Sequence, residues 1–222
     1  LDDSKVSGTA IFGLDGELNP RIIITVLDDN LILIDTENPG VTISEIPTID
    51  STRPVVEVVC EGVDFEIIPG GKDAIKKTIG VGRVLLAADI LGASLNMISN
   101  AVEYSLERKQ FNRVIGSFQA VKHMCAEMAA DIEPCKSLLW YAAYAQDHIK
   151  EEADLLSCHV KAHLSEVGHD TARVSTQVFG GMGFTDLLGM HYWFKRIGLS
   201  RQMLGGPEKV RQEAAILQGF LS

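Results

Sequence analysis

The sequence predicts an α+β fold, a partial antiparallel β-domain over residues 1–70 followed by an antiparallel helical bundle over residues 71–222. Three observations carry this. Up to residue 70 the chain is rich in β-branched residues and turn formers. Pro69-Gly70-Gly71 then punctuates it. Beyond that point apolar residues recur every third or fourth position in long runs, the period of a helix with one buried face. Strands followed by helices, rather than alternating with them, read as α+β.

Residues 5–12, 21–27, 31–35, 41–44 and 55–60 read as short strands. The separators Gly13-Leu14-Asp15-Gly16, Asp28-Asp29-Asn30 and Asn38-Pro39-Gly40 are turn signals, and two of the spacings are hairpin-like. An antiparallel meander follows, thin enough that one face must be covered by something else. The first helix carries a stripe of Leu85, Ala88, Leu91, Leu95, Ile98, Val102 and Leu106, expected to face the core. Its small residues Ala87, Ala88, Gly92 and Ala93 invite close approach by a neighbouring helix. A second helix runs from about 118 to 149, with Pro134 inside it as the expected kink. A third runs from about 152 to 179, has Glu151-Glu152 at its positive end, and stops at Gly180-Gly181. Shorter helices over 187–204 and 208–221 are separated by Gly205-Gly206-Pro207.

A net charge of −10 argues against nucleic acid as the main partner, because phosphate contacts need clustered Lys and Arg. No apolar run approaches the ~20 residues of a membrane span, and no signal or transit peptide is visible at Leu1. Cys60, Cys125, Cys135 and Cys158 have no CxxC spacing, which points to a reducing, cytoplasmic compartment and to ordinary buried thiols. His159 and His163 sit at i and i+4, but no HExxH pattern or third ligand accompanies them, so no metal is expected.

Three segments could carry chemistry. Arg108, with Lys109 and Gln110 beside it, follows the first bundle helix and offers a fork of donors suited to phosphate or carboxylate; cations at a helix C-terminus also complement the macrodipole. Gly180, Gly181 and Gly183 allow close backbone approach to a flat or charged ligand, or form a plain helix cap and turn. Gly205-Gly206-Pro207-Glu208 is a helix break with free N–H groups at the next helix start, or a simple interhelical turn.

In combination these segments become specific. The chain from Gly82 to Gln212 resembles the C-terminal bundle of the acyl-CoA dehydrogenase family. Tyr104-Ser105-Leu106-Glu107-Arg108-Lys109-Gln110-Phe111 looks like its YxxxRxxF segment. The stretch from Ile115-Gly116-Ser117-Phe118-Gln119 to His123 looks like the start of its next helix. Gln177-Val178-Phe179-Gly180-Gly181-Met182-Gly183 looks like its Q-x-FGG-x-G flavin loop, and all three stand in the family's order. Ser7-Gly8, Pro39-Gly40-Val41-Thr42, Thr52-Arg53-Pro54 and Gly62-Val63 resemble the later part of the family's middle β-domain. The family's N-terminal helical domain has no counterpart here.

The resemblance implies FAD, an acyl-CoA thioester substrate and α,β-dehydrogenation, in which a carboxylate takes the Cα proton while hydride leaves Cβ for flavin N5. It also implies an electron-accepting flavoprotein and sites shared between subunits. Carried over by position, Arg108 meets the FAD pyrophosphate, with Lys109 and Gln110 beside it. Phe118 and Gln119 line the flavin nucleotide. Gln177, Val178, Phe179, Gly180 and Gly181 contact the adenosine side from a neighbouring subunit. Gly206, Pro207 and Glu208 flank the flavin.

The departure concerns the base. The family carries it either in a Y-E-G-T segment, here Leu204-Gly205-Gly206-Pro207, or just before an arginine on the first bundle helix, here Gly82-Arg83. Both positions are glycine, and a glycine takes no proton. Asp89 and Glu208 are the substitutes at hand. The pattern resembles the base-less subunit of actinobacterial two-subunit acyl-CoA dehydrogenases that act on steroid side-chain thioesters. The expected partner is therefore a second dehydrogenase subunit in a heterotetramer, with a homo-oligomer as the other arrangement. Fatty acid or steroid degradation is the implied setting. Two other readings stay open, a flavin-free structural or regulatory subunit and a self-sufficient dehydrogenase using Asp89.

Overall fold

The computed structural model describes residues 5–14 and 20–221. The turn expected around Asp15-Gly16 and the reading at Leu1 lie outside the described residues; Gly13 and Leu14 belong to the first strand. The chain divides into two compact units, one up to Thr78 and the other from Ile79.

The first unit holds β1 (Lys5–Leu14), β2 (Ile22–Leu27), β3 (Asn30–Asp35), β4 (Val41–Glu45), β5 (Val55–Asp64) and β6 (Glu66–Ile68). They form two three-stranded antiparallel sheets, β1-β5-β4 and β2-β3-β6, instead of one meander. β2 and β3 are the hairpin that Asp28-Asp29 announces, with Asp28 at φ +51° and Leu27 opposite Asn30. The long-range pairing of β1 with β5 and the short β6 on β3 carry no local signal and escape the sequence. Ile32 and Ile34 of β3 meet Val56, Val58, Cys60 and Val63 of β5 in one apolar core, so each sheet covers the other.

The second unit is the bundle. It takes in most of α1 (Gly71–Glu107), then the two-stranded ribbon β7 (Lys109–Gln110) and β8 (Arg113–Val114), α2 (Gln119–His148), α3 (Lys150–Phe179), α4 (Met190–Gln202) and α5 (Pro207–Leu217). Short 3-10 turns occupy Ile115–Ser117 and Gly180–Phe184. Pro134 sits inside α2 without ending it. α3 ends where Gly180 turns to φ +60°, a conformation that side chains with a Cβ adopt rarely.

Side-chain contacts fix the relative directions of α1, α3 and α4. Arg83 near the start of α1 reaches Cys158 near the start of α3, and Tyr104 near the end of α1 stacks on Phe179 at the end of α3, ring centroids 4.3 Å apart. α1 and α3 therefore run the same way. Asp89 bonds Arg196 and Asn100 approaches Met190, so α4 runs opposite to α1. A Cβ on Gly168 would clash with Ile90 Cγ2, which shows how closely α3 is drawn onto α1.

The expected stripe of α1 is not its buried face. Arg83, Val84, Ala87, Ile90, Leu91, Ser94, Met97, Ala101 and Ser105 are buried. Ala88 and Val102 are exposed, Leu85 and Leu106 are 65% and 64% exposed, and Leu95 and Ile98 are half-buried; of the stripe, Leu91 alone is buried. α1 is apolar on nearly every side, so periodicity offers two phases, and the small side chains decide between them by letting neighbours come close. By length and composition α1 could also cross a bilayer, which corrects the expectation that no run is long enough. Half of its most apolar window is buried in the bundle, and its Arg83 and Asp89 are both committed to partners there. That is how a core helix behaves.

Candidate functional site

The three chemistry-bearing segments sit at two ends of the bundle. Arg108 directly follows α1, and Gly180 directly follows α3. The Tyr104–Phe179 stack holds these two ends together. Arg83, 25 residues before Arg108 on the same continuous helix, touches the 203–206 turn. At 1.5 Å per residue the two sites are roughly 37 Å apart.

The Arg108 end is open. Lys109 and Gln110 pair with Val114 and Arg113 around a two-residue turn, Phe111-Asn112, with φ +54° and +63°. Positive φ at both central residues matches the twist of a hairpin but is costly for Phe. Phe111 nevertheless points to solvent, 87% exposed. Among the described residues, the exposed Arg108 guanidinium has no hydrogen-bond or ion-pair partner. Phe118 is half-buried, with the Arg113 guanidinium 3.8 Å from its ring centre and Phe111 edge-on at 6.2 Å. Gln119 starts α2 exposed, its amide 3.4 Å from His123 Nε2. Gln177, Gly180 and Gly181 are exposed, and among the described residues no atom beyond their own stretch of chain lies within 4 Å of where a Cβ on either glycine would be. Val178 and Phe179, named for cofactor contact from the motif, have their side chains buried in the core. They can offer a ligand backbone only.

The other end is closed. Arg83, 7% exposed, bonds Glu213 of α5 at 2.6 Å, Cys158 of α3 at 3.3 Å and the Leu204 carbonyl at 3.0 Å. Lys161 of α3 is fully buried and donates to Ser165 Oγ at 3.1 Å, the Arg201 carbonyl at 2.8 Å and the Gly205 carbonyl at 3.2 Å. Burial, then Arg83 and Arg201, lower its pKa to about 8. Leu204 and Gly205 stand at φ +52° and +104°. A Cβ on Gly82 would meet Leu204 Cδ1 at 2.5 Å, and one on Gly205 would lie 3.0 Å from Val210 and 3.4 Å from the Arg83 guanidinium. Gly206 caps α5, Pro207 is buried at its first position, and Glu208 is exposed with Arg201 at 3.4 Å. With no side-chain cap at Gly206, the Glu208 and Lys209 amides have no partner in their own helix. Arg201 Nε is also buried without a partner among the described residues.

The carboxylates at this end are committed. Asp89 accepts from Arg196 Nε at 3.0 Å on both oxygens, from Arg196 Nη2 at 2.6 Å and from Ser200 at 3.2 Å. Arg196 and Ser200 thus engage both Asp89 oxygens. Glu166 pairs with Arg211, which holds its pKa below the usual range. Glu213 and Lys161 were not among the sequence-derived candidates. A single Glu or Lys on a helix reads as a solvated side chain, and only the apolar neighbours Val160 and Leu164 hint that Lys161 faces inward.

His159 and His163 line a cavity of about 320 Å³ between α3 and α5, together with Cys158, Arg211 and Gln218. No cluster of three His, Cys, Asp or Glu able to hold a metal occurs among the described residues. Burial raises the Cys158 thiol pKa, with Arg83 pulling the other way.

The residues present suit a dinucleotide. An uncommitted guanidinium matches a diphosphate, bare glycines admit a flat ring against backbone, and free amides at a helix start accept an anionic or carbonyl oxygen.

Comparison with known proteins agrees with this fold. Residues 70–219 match the family described as "Acyl-CoA dehydrogenase, C-terminal domain". The chain is 33% identical over 137 residues to caffeyl-CoA reductase-Etf complex subunit CarC of Acetobacterium woodii, covering 62% of this chain and 36% of that protein. It is 28% identical over 217 residues to acyl-CoA dehydrogenase IpdE2 of Mycolicibacterium smegmatis, covering 94% of this chain and 63% of that one. A chain of the ChsE4-ChsE5 complex from Mycobacterium tuberculosis superposes with a TM-score of 0.86 at 22% identity, over 98% of this chain and 60% of that chain. The chain thus spans less than two thirds of these relatives.

Proposed function

Because the chain belongs to the acyl-CoA dehydrogenase family, through that family's C-terminal domain, we propose that it is an FAD-binding dehydrogenase subunit whose partner supplies the catalytic base. In this reading residues 71–222 form the FAD-binding and oligomerising bundle, and residues 1–70 are the remainder of the middle β-domain. Bound FAD supplies the two-electron oxidant for α,β-dehydrogenation of an acyl-CoA thioester.

The chain's own residues divide the work between the two ends. Arg108 grips the diphosphate, with Lys109 and Gln110 adding charge and a polar contact. Gly180 and Gly181 let the backbone lie against the adenosine side, and Gln177 reaches from the same helix end. Phe118 and Gln119 close the nucleotide from the start of α2. The Gly206–Pro207–Glu208 start of α5 presents its amides beside the flavin.

One observation carries the shared-site reading. The two groups of contacts lie roughly 37 Å apart on one rigid helix, farther than one dinucleotide reaches, so a second subunit must bring the complementary end. That subunit also has to provide the base, since positions 82 and 205 hold glycine and Asp89 is committed to Arg196. The two named chains of the ChsE4-ChsE5 complex are a precedent for a second subunit, and the Etf complex to which CarC belongs is a precedent for association with Etf.

The test is purification from the native source, recording flavin absorbance and the mass of every co-eluting chain. The expected result is a yellow complex containing a second dehydrogenase subunit that bears the glutamate. A colourless homo-oligomer overturns the proposal and leaves a flavin-free structural subunit.

A further inference from the structure

We propose that Arg83 and Lys161 are positioning residues, a two-cation clamp that sets the conformation of the Met203–Gly206 turn and thereby aims the first amides of α5. The inference rests on the reading above only where it says that this turn flanks flavin; the clamp itself stands on the contacts.

The turn needs holding. α4 ends at Gln202, and the last carbonyls of a helix have no partner within it. Leu204 and Gly205 then occupy the left-handed half of backbone space one after the other, and a leucine stays there only when its surroundings enforce it. The two cations answer both needs. Lys161 takes the Arg201 and Gly205 carbonyls, one on each side of the bend, and its third proton goes to Ser165. Arg83 takes the carbonyl between them, that of Leu204. Three backbone oxygens within five residues are therefore tied to side chains of α1 and α3.

The clamp is itself rigid. Glu213 and Cys158 hold the remaining nitrogens of Arg83. Lys161 is fully buried, and none of its recorded hydrogen bonds goes to a carboxylate. An ammonium desolvated among carbonyl oxygens, facing Arg83 and Arg201, serves backbone placement and not ion pairing. The absence of a side chain at position 82 completes the arrangement, since Leu204 packs where a Cβ on Gly82 would stand. With glycine at 82 and 205, the turn offers an ordered backbone surface and no side chain of its own at these two positions.

The experiment is hydrogen exchange of the turn and α5 amides in the purified oligomer, comparing wild type with Lys161→Met and Arg83→Lys. Lys161→Met keeps the chain length and removes the charge. Arg83→Lys keeps the charge and shortens the reach, so one variant remains if the other does not fold by circular dichroism. The expected result is exchange at least tenfold faster at residues 203–209, with α2 unchanged and bound FAD released at least tenfold faster. Unchanged exchange at 203–209 in the folded variants overturns the clamp. Faster exchange with unchanged FAD release, or an oligomer without FAD, keeps the clamp and overturns the flavin reading of the turn.

Discussion

The two ends of the bundle solve opposite problems with similar residues. At one end Arg83 and Lys161 are buried and every recorded donor is spent on the protein itself. At the other, Arg108 and Lys109 are exposed, Phe111 is in solvent at a positive φ, and Gly180 and Gly181 stand beside empty space. A cation inside the fold must bring its own acceptors, because desolvation is otherwise prohibitive. A cation kept outside, on a strained ribbon with no ion pair, gains nothing for stability and is available to a ligand. The difference separates residues that shape the protein from residues that wait for something to arrive.

The contrast can be broken most forcefully at the closed end. Replacing Arg83 by alanine strands Glu213 and the Leu204 carbonyl, and the expected loss is about 3 kcal/mol, read from urea unfolding. A loss below about 1 kcal/mol would mean that the clamp is ornamental.

A smaller and more specific effect concerns Lys161. Its folded pKa of about 8 lies below the ordinary lysine value of 10.5, so between those values the unfolded chain binds more protons and stability rises with pH. Relative to Lys161→Met, wild type is expected to gain about 1 kcal/mol from pH 7 to pH 9. The comparison of unfolding midpoints at the two pH values cancels the titration of other groups. A flat difference would show that the ammonium is better solvated than its burial implies.

At the open end the signs reverse. Phe111→Gly relieves a left-handed phenylalanine and is expected to stabilise by about 0.5–1 kcal/mol in thermal unfolding. Arg108→Ala is expected to leave stability within about 0.5 kcal/mol. Its effect should appear in flavin content, lowered at least tenfold, and a variant that keeps its flavin would remove Arg108 from the cofactor site.

The sequence disclosed the two ends unequally, for a physical reason. Gly180 and Gly205 lie at helix breaks that fall within a few residues of where glycine and proline put them, and Arg108 directly follows the end of α1. α2 and α3 were legible for the same reason. Lys161, Glu213 and the Cys158–Arg83 contact depend on which face of α3 meets α5 and α1, and residue type alone does not say that. The buried face of α1 differs from its expected stripe because a helix apolar all round has no preferred side until its neighbours are known. In the first unit the strands could be placed, but the pairing of β1 with β5 across some fifty residues and the split into two sheets could not.

The outward row of Leu85, Ala88, Val102 and Leu106 has a consequence for the life of the chain in a cell. A ribosome making this protein releases a helix greasy on both sides, and the bundle shields one side of it. Until another surface arrives, the bare side is a target for chaperones, proteases and its own copies. On the proposed two-subunit reading, synthesis of the chain without its partner is expected to end in inclusion bodies.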